Sequence, residues 1–444
     1  MSHLDTDTYA ADLASFVVAS PSSYHAVSEI ARQLRAAGFL ELTETDEWPS
    51  DAGARFVVRD GAIVAWRQPV GASATTGFRI LGAHTDSPSF KLKPTPDSLS
   101  EGCLQVAVEV YGGPLLSSWL DRELELAGRI VTRDGAVRLV RTGPLLRITQ
   151  LAIHLDREQN TSLTLDKQRH VHPVWGVGDK PGDILELVAG VDASQIAGHD
   201  IMAVPTESAA RFGSGGMLFA SARLDNLSSV FAGLRGLLAA SGASWDDDTG
   251  EAVQGLSVRL SAAAPGVDPM IPVFAAFDHE EIGSGSRSGA SGPLLEDVLA
   301  RVSAGLGATD NEWRRAVAAS WLVSADTGHA THPNYPEKHD PLTRPQLGRG
   351  LLLKLNANQR YATDAVTSAM WAGVCERAGV AVQPFVSHNQ VGCGSTIGPL
   401  TATRLGLRTV DVGVPLLSMH SARELAHVTD LVALATAVAE YFRG

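Results

Sequence analysis

Apolar residues near the start of the chain follow a helical spacing. Between residues 7 and 37 they recur every three or four positions on both sides of a Pro21-Ser22-Ser23 break, which predicts two helices joined by a turn. Short β-rich runs separated by glycines follow at residues 55–58, 62–66 and 78–81, and we interpret them as strands.

The pattern changes twice further along the chain. From about residue 104 to residue 220, alternating runs with short turns predict a mostly β module. After it, apolar runs at 271–277, 321–324 and 409–412 alternate with helical runs at 226–240, 294–306, 363–378 and 429–442. This alternation predicts an α/β fold with a mostly parallel central sheet and flanking helices. Segment 241–268, rich in Ser, Asp, Gly and Ala, predicts a long surface loop.

Composition narrows the class of protein. The chain has 444 residues, 44% of them hydrophobic, and its 36 Lys and Arg against 49 Asp and Glu give a net charge of −13. This composition excludes a disordered or fibrous chain, and the length predicts two or three domains or one large domain with an insertion. The negative charge argues against nucleic acid or an anionic membrane as the main partner, because Lys and Arg drive phosphate binding.

Cysteines and apolar runs indicate the compartment. The three cysteines are scattered and form no CxxC pair, which is typical of a reducing environment. The acidic N-terminal stretch lacks the basic and apolar regions of a signal peptide. The sequence also contains no run of ~18 apolar residues, which a membrane span would need. We therefore expect a soluble, cytoplasmic protein.

Side chains of the metal-ligand type stand at the ends of predicted elements. His84 and Asp86 come after the strand at 78–81, and Asp225 stands before a predicted helix. A His-x-Asp pair offers an imidazole ligand and a carboxylate to orient it, although such pairs also occur in surface turns. Asp225 could cap its helix, or Asn226 could fill that role and leave Asp225 free.

Three further strand ends carry ligand-type residues. Glu280 and Glu281 follow the run at 271–277, where paired carboxylates repel each other unless a cation neutralises them or the turn is exposed. Asp326 and His420 each follow another apolar run. Together the candidates suit two divalent cations that share one carboxylate, with Zn²⁺, Mn²⁺ or Co²⁺ all acceptable. The chain has no HExxH, G-x-S-x-G or Walker A motif.

Seven segments are specific enough to indicate a family. Their sequences are GAHTDSPSFKLKP, LDNLSSV, FDHEEIGS, VSADTGHATHPNYPEKH, NQRYATDAV, GCGSTIGP and LSMHSARE. The series resembles the motifs of the aspartyl aminopeptidase family of dinuclear zinc metallopeptidases, in family order across residues 82–424. The resemblance implies an α/β metallopeptidase domain, residues 1–94 and 221–444, interrupted by a β-rich dimerisation domain at 95–220. It also implies self-association into a homododecamer.

The resemblance also implies how the ligands divide between two metal ions. One ion, most simply zinc, would bind His84 and Asp326, and the other would bind Glu281 and His420. The carboxylate of Asp225 would bridge the two ions.

Four residues would have other roles in releasing N-terminal Asp or Glu from peptides. By the same resemblance, Glu280 would be the general base, and Asp86 would orient His84. Lys354 would bind the acidic side chain of the substrate, and His154 would enter the active site of a neighbouring subunit to stabilise the oxyanion. From the residues alone, Lys354 is a solvated lysine and His154 a histidine on a half-buried strand.

Two other functions remain open at this point. A dinuclear zinc aminopeptidase or deacylase with neutral specificity would use the same ligands. In a non-catalytic assembly protein, metal ions would only stabilise the fold, but a structural site has no need of a base such as Glu280.

Overall fold

The computed structural model describes residues 5–242 and 269–444. The surface loop that the sequence predicts at 241–268 lies outside the described residues from residue 243 onward. The described α-helices are α1 (Thr6–Ala19), α2 (Ser23–Ala36), α3 (Ile184–Ala189), α4 (Leu224–Ala240), α5 (Leu294–Gly305), α6 (Asp310–Ala319), α7 (Ala365–Ala378), α8 (Ile397–Leu405) and α9 (Val428–Arg443). Within both described ranges, no helix has the length and apolar character needed to cross a bilayer.

The strands are numbered in chain order. They are β1 (Leu40–Glu41), β2 (Gly53–Arg59), β3 (Ala62–Gln68), β4 (Phe78–His84), β5 (Ser89–Ser100), β6 (Cys103–Tyr111), β7 (Glu123–Thr132), β8 (Val137–Arg141), β9 (Leu146–Arg147), β10 (Val174–Val177), β11 (Ile196–Pro205), β12 (Ala210–Phe212), β13 (Leu218–Ser221), β14 (Ile271–Phe277), β15 (Trp321–Ala325), β16 (Gly328–His329), β17 (Leu351–Lys354), β18 (Val382–Phe385), β19 (Arg408–Gly413), β20 (Pro415–Leu416) and β21 (Glu424–His427).

The larger sheet has nine strands in the order β1-β2-β3-β14-β4-β15-β19-β17-β18. Its four middle strands, β14, β4, β15 and β19, run parallel, as the sequence predicts. On either side, β3 and β17 run antiparallel to their central neighbours, so the sheet as a whole is mixed rather than mostly parallel. Its parallel centre matters for function, because the carboxyl ends of those strands meet at one edge.

Helices cover both faces of this sheet. Along β14, Phe274 and Ala276 belong to a core with α1, α2, α4, α7 and α9, whereas Val273 and Ala275 belong to a core with α5, α6 and α8. All seven residues of β14 are buried, which explains its continuous apolar sequence. The middle of the sheet is therefore held between two helical layers, and its carboxyl edge is fixed in place.

A second, antiparallel sheet closes on itself. Its order is β11-β5-β6-β10-β9-β7-β8, and an additional pairing joins β11 to β7. We call this closed sheet the barrel; its strands run from Ser89 to Pro205, and apolar side chains fill it. The sequence reveals the alternating pattern only from about residue 104. The earlier strand β5 is obscured by Pro94 and Pro96, which coincide with a register shift between Leu92 and Asp97.

Candidate active site and metal centre

The candidate ligands meet at the carboxyl edge of the parallel strands. His84 is the last residue of β4, Asp326 follows β15, and Glu280 and Glu281 lie in the turn after β14. Asp225 lies in the first turn of α4, which follows β13. Parallel strands place the residues that follow them side by side, so positions far apart in sequence converge here.

The first group of ligands surrounds His84. Its Nε2 lies 3.3 Å from Oδ1 of Asp225 and 3.4 Å from Oδ1 of Asp326. Its Nδ1 lies 3.0 Å from the backbone oxygen of Asp86, which can only accept, so Nδ1 carries a proton. Burial lowers the pKa of His84, but the carboxylates of Asp225, Asp326 and Asp86 outweigh burial and raise it. A cation at Nε2 would supply the same positive charge to these carboxylates.

The second group surrounds His420. Its Nε2 lies 3.4 Å from Oδ2 of Asp225 and 3.4 Å from Oε2 of Glu281. Its Nδ1 lies 3.0 Å from the backbone oxygen of Gly113 and therefore donates to it, which leaves Nε2 as the ligand atom of the neutral ring. Asp225 thus presents one carboxylate oxygen to each histidine.

These residues fit divalent cations. The ligand atoms of His84, Asp225 and Asp326 all lie within 4.8 Å of one another, and so do those of Asp225, Glu281 and His420. Oδ1 of Asp225 and Oε1 of Glu281 are buried without a hydrogen-bond partner among the described residues. Burial, reinforced by the charge of Asp225, raises the pKa of Glu281 well above its usual value. Buried oxygens of this kind are costly unless a cation binds them.

Asp86 connects the two sides of the cluster. Its Oδ1 accepts the backbone N–H of Glu280 at 3.0 Å, and its Oδ2 accepts that of Glu281 at 3.1 Å. Oδ2 also accepts the hydroxyl proton of Tyr111 at 2.8 Å. Burial and the charge of Asp86 raise the pKa of Tyr111, so its hydroxyl stays protonated as a donor. Asp86 therefore holds both His84, through its backbone, and the turn that carries the two glutamates.

Glu280 also offers an oxygen within 4.8 Å of ligand atoms of His84 and Glu281, but its contact with His84 is longer than those of Asp225 and Asp326. Its Oε2 is 3.9 Å from Nε2 of His84, and its side chain lines a cavity of about 520 Å³. Burial raises the pKa of Glu280 to about 8, with further contributions from Asp326 and Asp225. The cavity and the carboxylate together provide room for a substrate next to a group that can accept a proton.

Lys354 lines the same cavity and is only 1% exposed. Its Nζ donates to the backbone oxygen of Thr327 at 2.6 Å and lies 3.7 Å from Oδ2 of Asp326. It also lies 5.4 Å from the centre of the Tyr361 ring. The reading of Lys354 as a solvated lysine is therefore wrong, since its ammonium is buried beside the candidate ligands.

His154 is not brought to the cluster within one chain. It is exposed on the segment between β9 and β10 of the barrel, and it does not line the described cavity. It is also not on a strand, so the alternative of a half-buried strand position is wrong.

The structure adds residues that the sequence did not single out. Glu424 accepts the backbone N–H of Asp225 at 2.9 Å and that of His420 at 2.7 Å. Asn226 does not cap α4, because its side chain donates to the backbone oxygen of Ala325. Glu424 stands in the LSMHSARE segment and could have been suspected, whereas Tyr111 ends an ordinary alternating strand and gave no signal.

Known proteins share this fold and sequence. Residues 16–442 match the family described as Aminopeptidase I zinc metalloprotease (M18). A probable M18 family aminopeptidase 2 of Streptomyces avermitilis is 49% identical over 440 residues, which cover 98% of this chain and 97% of that protein. A chain of the Ape4 and Nbr1 complex superposes with a TM-score of 0.89 at 34% identity, covering 99% of this chain and 86% of that chain. The mApe1 dodecamer of S. cerevisiae gives a TM-score of 0.81 at 28% identity, with 98% and 96% covered. The chain therefore belongs to the M18 family of zinc metalloprotease aminopeptidases, as its motif series indicates.

Proposed function

We propose that this chain is an aminopeptidase that releases Asp or Glu from the N-terminus of peptides with the help of two divalent cations, most simply Zn²⁺. One cation is held by His84 and Asp326, the other by Glu281 and His420, and Asp225 lies between them. The observation that carries this proposal is the pair of overlapping ligand groups that share Asp225 at the floor of a cavity. Mn²⁺ and Co²⁺ suit the same ligands, so availability decides which ion is used.

The reaction is the hydrolysis of a peptide bond. When bound, the cations polarise the scissile carbonyl and lower the pKa of a water molecule. The oxygen of the attacking water bonds to the carbonyl carbon, and Glu280 accepts a proton from that water. When the C–N bond breaks, Glu280 returns that proton to the leaving amine. Asp86 keeps Glu280 in place through its hydrogen bond to the Glu280 backbone.

Charge in the cavity supports the preference for acidic residues. Outside the ligand groups and Glu280, the described cavity lining carries no carboxylate, but it contains Lys338, Lys354 and three histidines, His329, His339 and His388. Lys354 is the buried cation of this set. A substrate carboxylate would meet an ammonium with little competing solvent, where an ion pair is strong.

Self-association is the second part of the proposal. Around His154, the barrel exposes Leu151, Ile153 and Leu155, the last of which is 74% exposed. Apolar side chains clustered in this way favour an interface. We infer that this chain forms a homododecamer, the assembly named for mApe1 of S. cerevisiae, and that His154 reaches a neighbouring active site.

A peptide panel tests the proposal. Short peptides that differ only in their first residue, Asp, Glu, Ala, Leu or Lys, are incubated with protein as purified, after chelation, and after return of Zn²⁺, Mn²⁺ or Co²⁺. We expect cleavage after Asp and Glu, lost on chelation and restored by metal. Equal cleavage of Ala and Leu peptides would favour the neutral aminopeptidase instead. No cleavage with two cations bound would favour the assembly protein.

A further inference from the structure

The end of barrel strand β6 lies against both ligand groups of the candidate metal centre. Residues 111–115 leave the barrel there, and we call them the barrel segment. The candidate ligands themselves all belong to the part of the chain outside the barrel. The barrel and the larger sheet therefore meet at this centre.

Contacts of the barrel segment reach each side of the cluster. The Tyr111 hydroxyl donates to Oδ2 of Asp86 at 2.8 Å. The backbone oxygen of Gly113 accepts from Nδ1 of His420 at 3.0 Å, and the backbone N–H of Leu115 donates to the oxygen of His420 at 2.8 Å. The barrel thus supplies a partner to His420 directly and a donor to Asp86, which contacts the other side of the cluster.

The approach of the barrel segment is close enough to require glycine. Gly112 has a φ of +69°, and a Cβ added there would lie 3.0 Å from Cβ of Glu281. A Cβ at this position would be closer to Glu281 than ordinary contacts are, and the positive φ also favours glycine. The local sequence is therefore suited to bringing Tyr111 and Gly113 against the centre.

Asp86 is the route by which Tyr111 can act. Its carboxylate holds the backbone N–H groups of Glu280 and Glu281, and its backbone oxygen holds Nδ1 of His84. Without the Tyr111 hydroxyl, the carboxylate keeps the two backbone N–H donors of the 280–281 turn but loses its only side-chain hydroxyl donor from the barrel, so it is held less firmly. Partners one step removed from a metal ligand typically change metal affinity or activity by about 10- to 100-fold.

We propose that Tyr111 is a positioning residue that fixes Asp86, and through it His84 and the 280–281 turn, so that correct seating of the barrel is required for tight metal binding. The effect on turnover rests on the proposed function, whereas the effect on metal binding does not. Tyr111 touches neither a substrate nor a reacting atom in this account, and its influence passes through Asp86.

Metal affinity of the whole chain tests this role. Metal-free Tyr111→Phe protein is titrated with Zn²⁺ against a competing chromophoric chelator, beside wild type and Tyr24→Phe. Tyr24 of α2 is the matched control, because it also lies where the barrel meets the rest of the chain but packs on Arg129 instead. The centre of its ring is 4.2 Å from Cζ of Arg129. We expect Tyr111→Phe to bind Zn²⁺ more weakly by up to about 10-fold, the lower end of the range for direct partners of a metal ligand, with Tyr24→Phe unchanged. Wild-type affinity in Tyr111→Phe, or an equal loss in both variants, would overturn the proposal.

A double-mutant cycle tests the route through Asp86. In an Asp86→Ala background, Tyr111→Phe should cause no further loss of Zn²⁺ affinity, whereas independent losses would contradict the route. In peptide assays, Tyr111→Phe should lower kcat while KM stays near that of wild type. If wild-type protein cleaves no peptide at all, the proposed function fails, but the Zn²⁺ titrations still decide the role of Tyr111.

Discussion

The two histidines of the centre are oriented by backbone carbonyls. Nδ1 of His84 donates to the oxygen of Asp86, and Nδ1 of His420 donates to that of Gly113. Both rings therefore turn Nε2 toward Asp225. Since each Nδ1 already carries a proton, the neutral ring offers Nε2 as a ligand without rearrangement. Both carbonyls belong to loops that follow strands, so the orientation of the two rings could not be predicted from the spacing of residues in the sequence.

Lys354→Met tests the origin of substrate choice. Methionine keeps most of the side-chain volume but removes the ammonium, so the substrate carboxylate loses its buried partner. We expect kcat/KM for Asp and Glu peptides to fall by about 30-fold or more, since losing one partner of a buried charge pair costs at least ~2 kcal/mol. Ala and Leu peptides should be much less affected.

Lys338→Met serves as the control, because Lys338 lines the same cavity but is exposed. It should change selectivity far less. Metal content is measured in both variants, because Lys354 lies 3.7 Å from Asp326. A uniform loss across all five peptides would remove Lys354 from the account of specificity.

Some residues of the site could be identified from the sequence and others could not. His84, Glu281 and Asp326 stand after buried apolar strands, and that position alone made them candidates. Lys354 was readable only through a family resemblance, because one lysine in a sequence does not reveal whether it is buried. Tyr111 could not be identified from the sequence, since its partner Asp86 is 25 residues away, in the loop between β4 and β5.

Helix α4 both carries a candidate metal ligand and packs against the larger sheet. Its first turn contains the candidate ligand Asp225, and it packs against β4 and β14, whose ends carry other candidate ligands. A Cβ added to Gly233 of α4 would lie 2.4 Å from Leu81 and 2.5 Å from Phe274. Glycine therefore allows the helix to lie close to the sheet.

Gly233→Ala should destabilise the protein for this reason. Overpacking of a core typically costs ~1–3 kcal/mol, more than the helix propensity gained by removing glycine. The control is Gly373→Ala in α7, where the nearest atom to an added Cβ is 3.7 Å away on the flexible Arg377. That change should be neutral or stabilise by up to ~1 kcal/mol. Denaturant unfolding measures both, and equal stability of the two variants would contradict the packing described.

Elements with strong periodicity were predicted, and weakly patterned ones were not. The helix at 294–306 and the strand at 271–277 are confirmed nearly to the residue as α5 and β14. Helix α6 was missed because only Ala316 of its ten residues is buried, so its apolar spacing is faint. Strands β17 and β18 have four residues each, too few for a pattern, and the antiparallel β17 is what makes the sheet mixed.

The whole molecule brings ionisable groups together at a cost. Five candidate ligands and Glu280 lie at the junction of the two sheets, and two of their oxygens, Oδ1 of Asp225 and Oε1 of Glu281, are buried without a hydrogen-bond partner among the described residues. Burying these groups without partners is unfavourable in free energy, and cations that bind them would offset that cost. Bound cations should therefore contribute to the stability of the folded state. The stability of the chain and its activity are then linked through the same site.

Chelation should therefore lower the thermal midpoint of unfolding. A ligand present at 100 times its Kd stabilises a protein by ~2.7 kcal/mol, which for a domain of this size corresponds to a shift of several degrees. Return of Zn²⁺ should restore the midpoint, and Glu281→Gln should reduce the shift. Calorimetry at one scan rate provides the comparison. The same midpoint with and without metal would contradict a cation site in this cluster.

In the proposed mechanism, Glu280 accepts the proton of the attacking water and does not bind a metal ion. Glu280→Gln keeps the size of the side chain but cannot accept the proton, so turnover of an Asp peptide should fall by about 10²- to 10⁴-fold. Bound metal, measured by elemental analysis of the same sample, should equal that of wild type, whereas Glu281→Gln should lose metal. Near-normal turnover by metal-loaded Glu280→Gln protein would contradict the account.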